Sequence, residues 1–135
     1  MVWVLLLGAI LSDVQAKSTA KDTLSVEEEQ QFLYYFYEAQ RLIQKEDIAP
    51  AWELMQFCYA LNPNNATVNN YMGVFLDAFD QKAAAVSHFR RAFELEPNEY
   101  WYQYTVYLLN SEDKQLKKYA IQNLELVAKT KTKDE

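Results

Sequence analysis

The chain has 135 residues, half of them hydrophobic, with only two Gly, three Pro and a formal net charge of −6. This length and composition predict one well-packed domain, and they exclude both a disordered chain and a fold rich in tight turns. The negative charge opposes contact with phosphate backbones, so we expect no nucleic-acid partner.

Residues 1–16 are predicted to be a cleaved secretory signal peptide. Val2–Leu11 is an apolar run that is too short to span a bilayer as a helix, and Val14–Ala16 carries the small residues of a cleavage site. No Lys or Arg precedes this run, so an uncleaved amphiphilic anchor is the alternative. We expect an exported protein with no stable membrane span after cleavage. Residues 17–24 lack periodicity, which predicts a short flexible lead.

The first predicted helix runs from Ser25 to about Lys45. Ser25 and Glu28 have the spacing of a capping box, in which each side chain satisfies a backbone N–H at the start of the helix. Asp47 is expected to cap the second helix. That helix is expected to end before Pro63, because a residue that precedes proline is pushed out of the helical region.

The remaining helices are predicted over residues 66–79, 80–96, 99–109 and 114–129, with a charged tail over 130–135. Asp80 is expected to cap the fourth helix, and Pro97 is expected to end it. The six helices form three hairpins over about residues 25–63, 64–97 and 98–129. The sequence therefore predicts one all-α domain over residues 25–129.

The chain repeats itself with a period of 34 residues, a signature of stacked helical hairpins. The matched positions hold small residues where helices approach closely, a bulky apolar residue one turn later and a closing proline. These structural positions are Ala39, Gly73, Ala51, Ala85, Met55, Phe89, Cys58, Ala92, Pro63 and Pro97. A third copy drifts, since its small residue is Ala120 rather than Tyr119 and no third proline follows.

This pattern resembles the tetratricopeptide repeat family over about residues 32–129. The resemblance implies an α-α superhelix of three antiparallel helix pairs, whose first helices line a concave groove that binds peptides or protein segments. The residues expected in that groove are Leu33, Phe36, Gln40, Asn70, Val74, Asp77 and Trp101, together with Tyr104 of the fifth helix. Together with the apolar leader, the pattern is similar to exported tetratricopeptide proteins of the Gram-negative periplasm.

One activity of the family is not expected here. Its chaperone-binding members clamp a C-terminal carboxylate with two lysines, an arginine and two asparagines at set positions of the groove. The residues at those positions in this chain are Phe36, Gln40, Tyr71, Trp101 and Thr105. Because the basic clamp is missing, the resemblance does not imply chaperone binding.

No catalytic, metal-binding or cofactor-binding motif stands out, and we expect neither an enzyme nor a cofactor. His88 is the only histidine and is predicted to be solvated on the outer face of the fourth helix. Cys58 is the only cysteine and is predicted to be a small buried residue outside any disulfide. The leading hypothesis is a non-catalytic scaffold for a protein or peptide partner. The alternative is a structural module, either self-associating as a homodimer or belonging to a longer array.

The fifth helix is unusually aromatic. Tyr100, Trp101, Tyr104 and Tyr107 recur at spacings of three and four residues, whereas Tyr102 is expected to point elsewhere. Their rings either pack in the core with the polar tips at water, or form an exposed patch for a partner. An exposed patch requires that Trp101 and Tyr104 are not both buried.

Overall fold

The computed structural model describes residues 23–131, and the side chains of residues 23–129. This part of the chain is all-α and contains no strand, so the predicted fold class is confirmed. The helices are α1 (Val26–Gln44), α2 (Ile48–Leu61), α3 (Ala66–Ala78), α4 (Lys82–Leu95), α5 (Pro97–Asn110) and α6 (Lys114–Lys131). Each helix packs against its neighbours in sequence, which gives three stacked hairpins. The predicted signal peptide lies outside the described residues, as does the end of the predicted tail.

The first helix begins as its sequence predicts. The N–H of Glu28 donates to Ser25 Oγ at 3.2 Å, and the N–H of Ser25 donates to the Glu28 carboxylate at 2.8 Å. Two predicted boundaries change. Leu24 packs against the core, so the predicted flexible lead ends before it. At the other end, α6 continues to Lys131, two residues into the predicted tail.

The turns that close the first two hairpins have the same backbone. Glu46 and Asp80 have φ angles of 61° and 60°, in the left-handed region that side chains rarely adopt. The N–H of the next residue donates to a carbonyl of the preceding helical turn, at 2.9 Å in the first hairpin and 2.8 Å in the second. This is the Schellman arrangement, which usually places glycine at the left-handed position.

The prediction that Asp80 caps α4 is wrong. Asp80 terminates α3 at the left-handed position, and α4 begins at Lys82, with Gln81 as the preceding residue and no side-chain cap. Asp and Asn tolerate this backbone better than most residues, which accounts for an aspartate there.

The core is built on the repeated small residues. Cβ placed on Gly73 would lie 2.8 Å from the Phe89 ring, so glycine is required for this close approach. The corresponding residues of the first hairpin are Ala39 and Met55, both fully buried. The larger Phe89 therefore faces the smaller Gly73, and the less bulky Met55 faces Ala39.

The buried residues form two clusters along the stack. The first is drawn from α1, α2 and α3, and the second from α3, α4, α5 and α6. Trp52 packs against both clusters. Its ring centroid lies 5.5 Å from that of Phe75 and 5.4 Å from that of Phe79. Trp52 therefore fills the junction between the first and second hairpins.

The third hairpin leaves the 34-residue register. The buried set of α5 is Tyr104, Thr105 and Leu108, which repeats the burial of Met72, Gly73 and Leu76 on α3 at a spacing of 32 residues. Helix α5 begins at Pro97 itself, whereas α3 begins only after Pro63 and two further asparagines. Helix α4 ends at Leu95, two residues before Pro97, as predicted. Pro97 is also the first residue of α5, which therefore starts two residues before its predicted start, and the fixed φ of proline suits a helix start.

Candidate functional site

The side chains predicted to line a groove lie on the first helices of the hairpins, α1, α3 and α5. We call this the first-helix surface. With the shifted register of α5, its members are Leu33, Phe36 and Gln40 on α1, Asn70, Val74 and Asp77 on α3, and Tyr102 and Val106 on α5.

Side chains of α1 and α3 meet at Tyr71. The Phe36 ring lies edge-on to the Tyr71 ring at 6.0 Å, and Gln40 Nε2 donates to the Tyr71 hydroxyl at 3.3 Å. These contacts leave Phe36 and Gln40 half-buried. Their aromatic and amide groups are therefore held in place by the neighbouring helix rather than free to rotate.

Two polar contacts join α3 to α5. The Thr67 and Tyr100 hydroxyls lie 2.9 Å apart, and the Tyr107 hydroxyl donates to Asp77 Oδ1 at 3.0 Å. Burial, followed by the hydrogen bond to Asp77, raises the pKa of Tyr107 to about 12. Lys82 also forms an ion pair with Asp77. The carboxylate of Asp77 is therefore already engaged from two sides.

Between these anchored contacts the first-helix surface exposes apolar groups. The exposed fractions are 42% for Leu33, 46% for Val74 and 66% for Tyr102. Asn70 lies on the same surface, and its Oδ1 is buried without a hydrogen-bond partner among the described residues. A buried acceptor without a partner is uncommon in folded proteins and is often found at functional positions.

Two of the predicted groove residues on α5 are placed differently. Tyr104 is buried, with its hydroxyl accepting from Arg90 Nε at 3.1 Å and its ring stacked on Phe93 at 5.5 Å. The prediction that Tyr104 lines the groove is therefore wrong. Of the two alternatives for the aromatic residues of α5, Tyr104 follows the one in which the ring packs in the core. Trp101 is half-buried, and Tyr102, expected to point elsewhere, is the exposed ring beside it at 5.9 Å.

The prediction that His88 is a solvated surface residue is also wrong. His88 Nδ1 lies 3.0 Å from Asn69 Oδ1, and the His88 ring lies edge-on to Tyr59 at 5.0 Å. Asn69 Nδ2 donates to the carbonyls of Pro63 and Asn65, which leaves its Oδ1 as an acceptor. His88 therefore donates from a protonated Nδ1, and burial lowers its pKa. This network ties α4 to the start of α3 and to α2.

Cys58 is buried, and its Sγ lies 3.8 Å from the Phe32 carbonyl oxygen. Burial raises the pKa of Cys58 to about 11, so the thiol is protonated at neutral pH and unreactive. Within residues 23–129, no group of three or more His, Cys, Asp or Glu side chains is arranged to hold a metal ion. No helix of the described segment is both long and apolar enough to cross a membrane.

Comparison with known proteins identifies no relative of this chain. No protein-family model matches the chain, and neither the curated proteins nor the solved structures searched contain a match. The features available for a functional argument are therefore the stacked hairpins, the first-helix surface and the junctions between hairpins.

Proposed function

We propose that this chain is a non-catalytic scaffold of the tetratricopeptide kind, which binds a peptide segment of a partner protein on the first-helix surface. The observation that carries the proposal is a row of exposed apolar side chains held between fixed inter-helix contacts. Large exposed tyrosines of this type commonly anchor protein interfaces, because they bury much area for little loss of conformational entropy.

Two further features support a peptide rather than a small molecule. The exposed apolar side chains Leu33, Val74 and Tyr102 lie one on each of the three first helices, which suits an elongated ligand. Asn70 offers an acceptor that lacks a partner, and a peptide N–H could satisfy it after a small side-chain rotation. The surface has no basic clamp for a carboxylate, so we expect internal segments to bind as well as C-terminal ones.

The test uses a peptide selected by the full chain from a random library and then labelled for fluorescence polarisation. Tyr102→Ala and Phe36→Ala are expected to weaken its binding about tenfold or more, as truncation of interface anchors commonly does. Tyr34→Ala is the matched control, because Tyr34 is 67% exposed and also contacts one neighbouring ring, but lies off the first-helix surface. Equal affinity for all three variants would contradict the proposal, once circular dichroism has shown them folded.

Self-association is a second candidate function, favoured by one observation on α6. Ile121 follows the small residue Ala120 as Trp52 follows Ala51, yet Ile121 is 50% exposed. A second copy of the chain packed there would bury it. Light scattering across a concentration series tests this, and Ile121→Asp is expected to abolish any dimer. A monomer at all concentrations excludes this candidate.

A further inference from the structure

The second junction of the stack lacks the side chain that fills the first. In the first junction Trp52 of α2 lies against Phe75 of α3 and against Phe79, the residue that follows α3. The residue of α4 that corresponds to Trp52 is Val86, which follows Ala85 as Trp52 follows Ala51. An indole in one junction is thus replaced by an isopropyl group in the next.

The residues opposite Val86 are also different. With the 32-residue register of α5, the counterparts of Phe75 and Phe79 are Tyr107 and Ser111. Tyr107 is engaged elsewhere, since its ring lies 4.6 Å from Phe89 and its hydroxyl bonds to Asp77. Three aromatic rings in the first junction therefore correspond to one in the second.

A cleft of about 1050 Å³ lies at this place. It is bounded by α3, α4, α5 and the start of α6, and its lining includes all three substituted positions, Val86, Tyr107 and Ser111. Phe89, Val106 and Leu116 add apolar surface. Its volume is at the upper end of the range for ligand pockets, which commonly combine apolar walls with a few polar groups.

The charged lining of the cleft is acidic on balance, because its four carboxylates, two of them Asp80 and Glu112, outnumber Lys82 and Arg90. Asp77, Asp80 and Glu112 surround Lys82, whose pKa is raised first by the hydrogen bond to Asp77 and then by these charges. Asp113 also lines the cleft and caps α6, accepting from the N–H of Gln115 at 2.8 Å. A ligand that brings positive charge is therefore favoured over one that brings negative charge.

We propose that this cleft binds an aromatic side chain, of indole size, from a partner peptide in which Lys or Arg flanks the aromatic residue. The inserted ring lies over the second junction, against Val106, Leu116 and the small exposed part of Val86, which is itself buried. The flanking basic residues meet Asp80 and Glu112 at the rim. The proposal does not require any ligand on the first-helix surface, although Val74, Asp77 and Val106 belong to both.

The probe is the tripeptide acetyl-Lys-Trp-Lys-amide, titrated into the full chain and followed by two-dimensional NMR of the backbone amides. Saturable shifts are expected near Val86, Tyr107 and Ser111. Acetyl-Lys-Ala-Lys-amide and acetyl-Glu-Trp-Glu-amide are the ligand controls, and each is expected to bind at least about tenfold more weakly. Equal affinity for either control, shifts centred instead on Phe36 and Tyr102, or no saturable shift up to millimolar peptide would overturn the proposal.

Variants of the protein separate the cleft from non-specific binding. Val86→Trp places an indole of the protein itself in the cleft and is expected to abolish binding of the tripeptide. If it fails to fold, Ser87→Trp on the cleft wall gives the same test, and Glu53→Trp, the corresponding change in the first hairpin, is the matched control. Loss of binding in Ser87→Trp but not in Glu53→Trp supports the proposal, and equal effects overturn it.

The same experiments would also detect two other possible occupants of the cleft. If the tripeptide binds only after Trp3→Ala, the occupant is the leading segment of the chain itself, and a separate partner is excluded. If light scattering shows a dimer that Val86→Trp abolishes, the occupant is a second copy. Either result overturns the proposal of a partner peptide. Neither variant changes Phe36 or Tyr102, so the first-helix surface is tested independently.

Discussion

The two junctions of the stack share a backbone plan and differ in what fills them. In the first, Trp52 joins the two halves of the core, and the Asn69–His88 network adds polar contacts across α2, α3 and α4. In the second, Val86 lines a cleft. The Tyr104 hydroxyl accepts a hydrogen bond from Arg90, and the Tyr107 hydroxyl donates one to Asp77. The second junction is thus closed by smaller side chains, with Val86 and Leu108 buried, and the cleft lies at its surface.

The largest expected effect on stability comes from removing the Trp52 ring from the first junction. Trp52→Val places the residue of the second junction in the first and removes an aromatic ring from contact with Phe75 and Phe79. We expect a loss of about 2–4 kcal/mol in the free energy of unfolding, measured by urea denaturation. Val86→Ala, a smaller truncation of a buried side chain in the second junction, is expected to cost about 1–2 kcal/mol. A loss for Trp52→Val no larger than the loss for Val86→Ala would contradict the role of the indole in filling the first junction.

The next effect concerns the close contact of Gly73 with Phe89. Gly73→Ala improves helix propensity by roughly 0.5–1 kcal/mol. It nevertheless pushes a methyl group into the Phe89 ring, and overpacking of a core commonly costs about 1–3 kcal/mol. We expect net destabilisation in thermal or urea unfolding.

A double mutant shows whether that cost arises at the contact. Gly73→Ala combined with Phe89→Met recreates the Ala39 and Met55 pair of the first hairpin, with a flexible side chain in place of a rigid ring. The double mutant is expected to be more stable than the sum of the single changes predicts. If the two substitutions change the free energy of unfolding additively, the destabilisation by Gly73→Ala does not arise from its contact with Phe89.

The sequence predicted the first two hairpins well because they obey one period. The small contact positions and the prolines Pro63 and Pro97 mark structural needs that recur after 34 residues. Capping does not recur, since the predicted cap Asp47 makes no side-chain hydrogen bond to α2 and Gln81 makes none to α4. The register of α5 could not be predicted from that period, because burial of Tyr104 rather than Tyr102 depends on how α5 packs against α4. Pro97 carried the available signal, since a proline suits the first turn of a helix as well as the residue after one.

The surroundings of His88 and the position of the cleft also depend on how the helices pack against one another. His88 was misplaced because its partner, Asn69, lies on another helix, and the pattern along α4 alone contains no sign of that contact. The cleft could not be predicted either, since its lining residues come from α3, α4, α5 and the start of α6 and meet only in the folded chain.

A smaller effect tests the repeated turns. Glu46→Gly is expected to stabilise the chain by about 0.5–1 kcal/mol, because glycine adopts the left-handed backbone without steric cost. Asp80→Gly should gain less, since aspartate tolerates this backbone better than glutamate does. Glu112→Gly in the third turn, where φ is not positive, is expected to give no gain. Thermal unfolding of the three variants measures the order, and a gain for Glu112→Gly would contradict it.

The smallest expected effect is the pH dependence that His88 gives to the first junction. Burial lowers its pKa below the ordinary value of 6.5, so the unfolded chain takes up a proton at a higher pH than the folded chain does. The stabilising contribution of neutral His88 is therefore fully present above about pH 6.5 and is lost as pH falls through the folded pKa. Protonation does not remove the Nδ1–H that Asn69 accepts, so the loss reflects the cost of burying the charge.

His88→Gln isolates this term, because the carboxylates that titrate in the same range are common to both chains. The difference in unfolding free energy between wild type and His88→Gln is expected to shrink from pH 7.5 to pH 5, and to stay constant from pH 7.5 to pH 9. Urea unfolding at each pH measures it. A difference that is constant on acidification, or that grows, would mean that His88 is not held neutral by burial. Gln122→His is the control, because Gln122 is exposed on α6 and a histidine there is expected to add no such dependence.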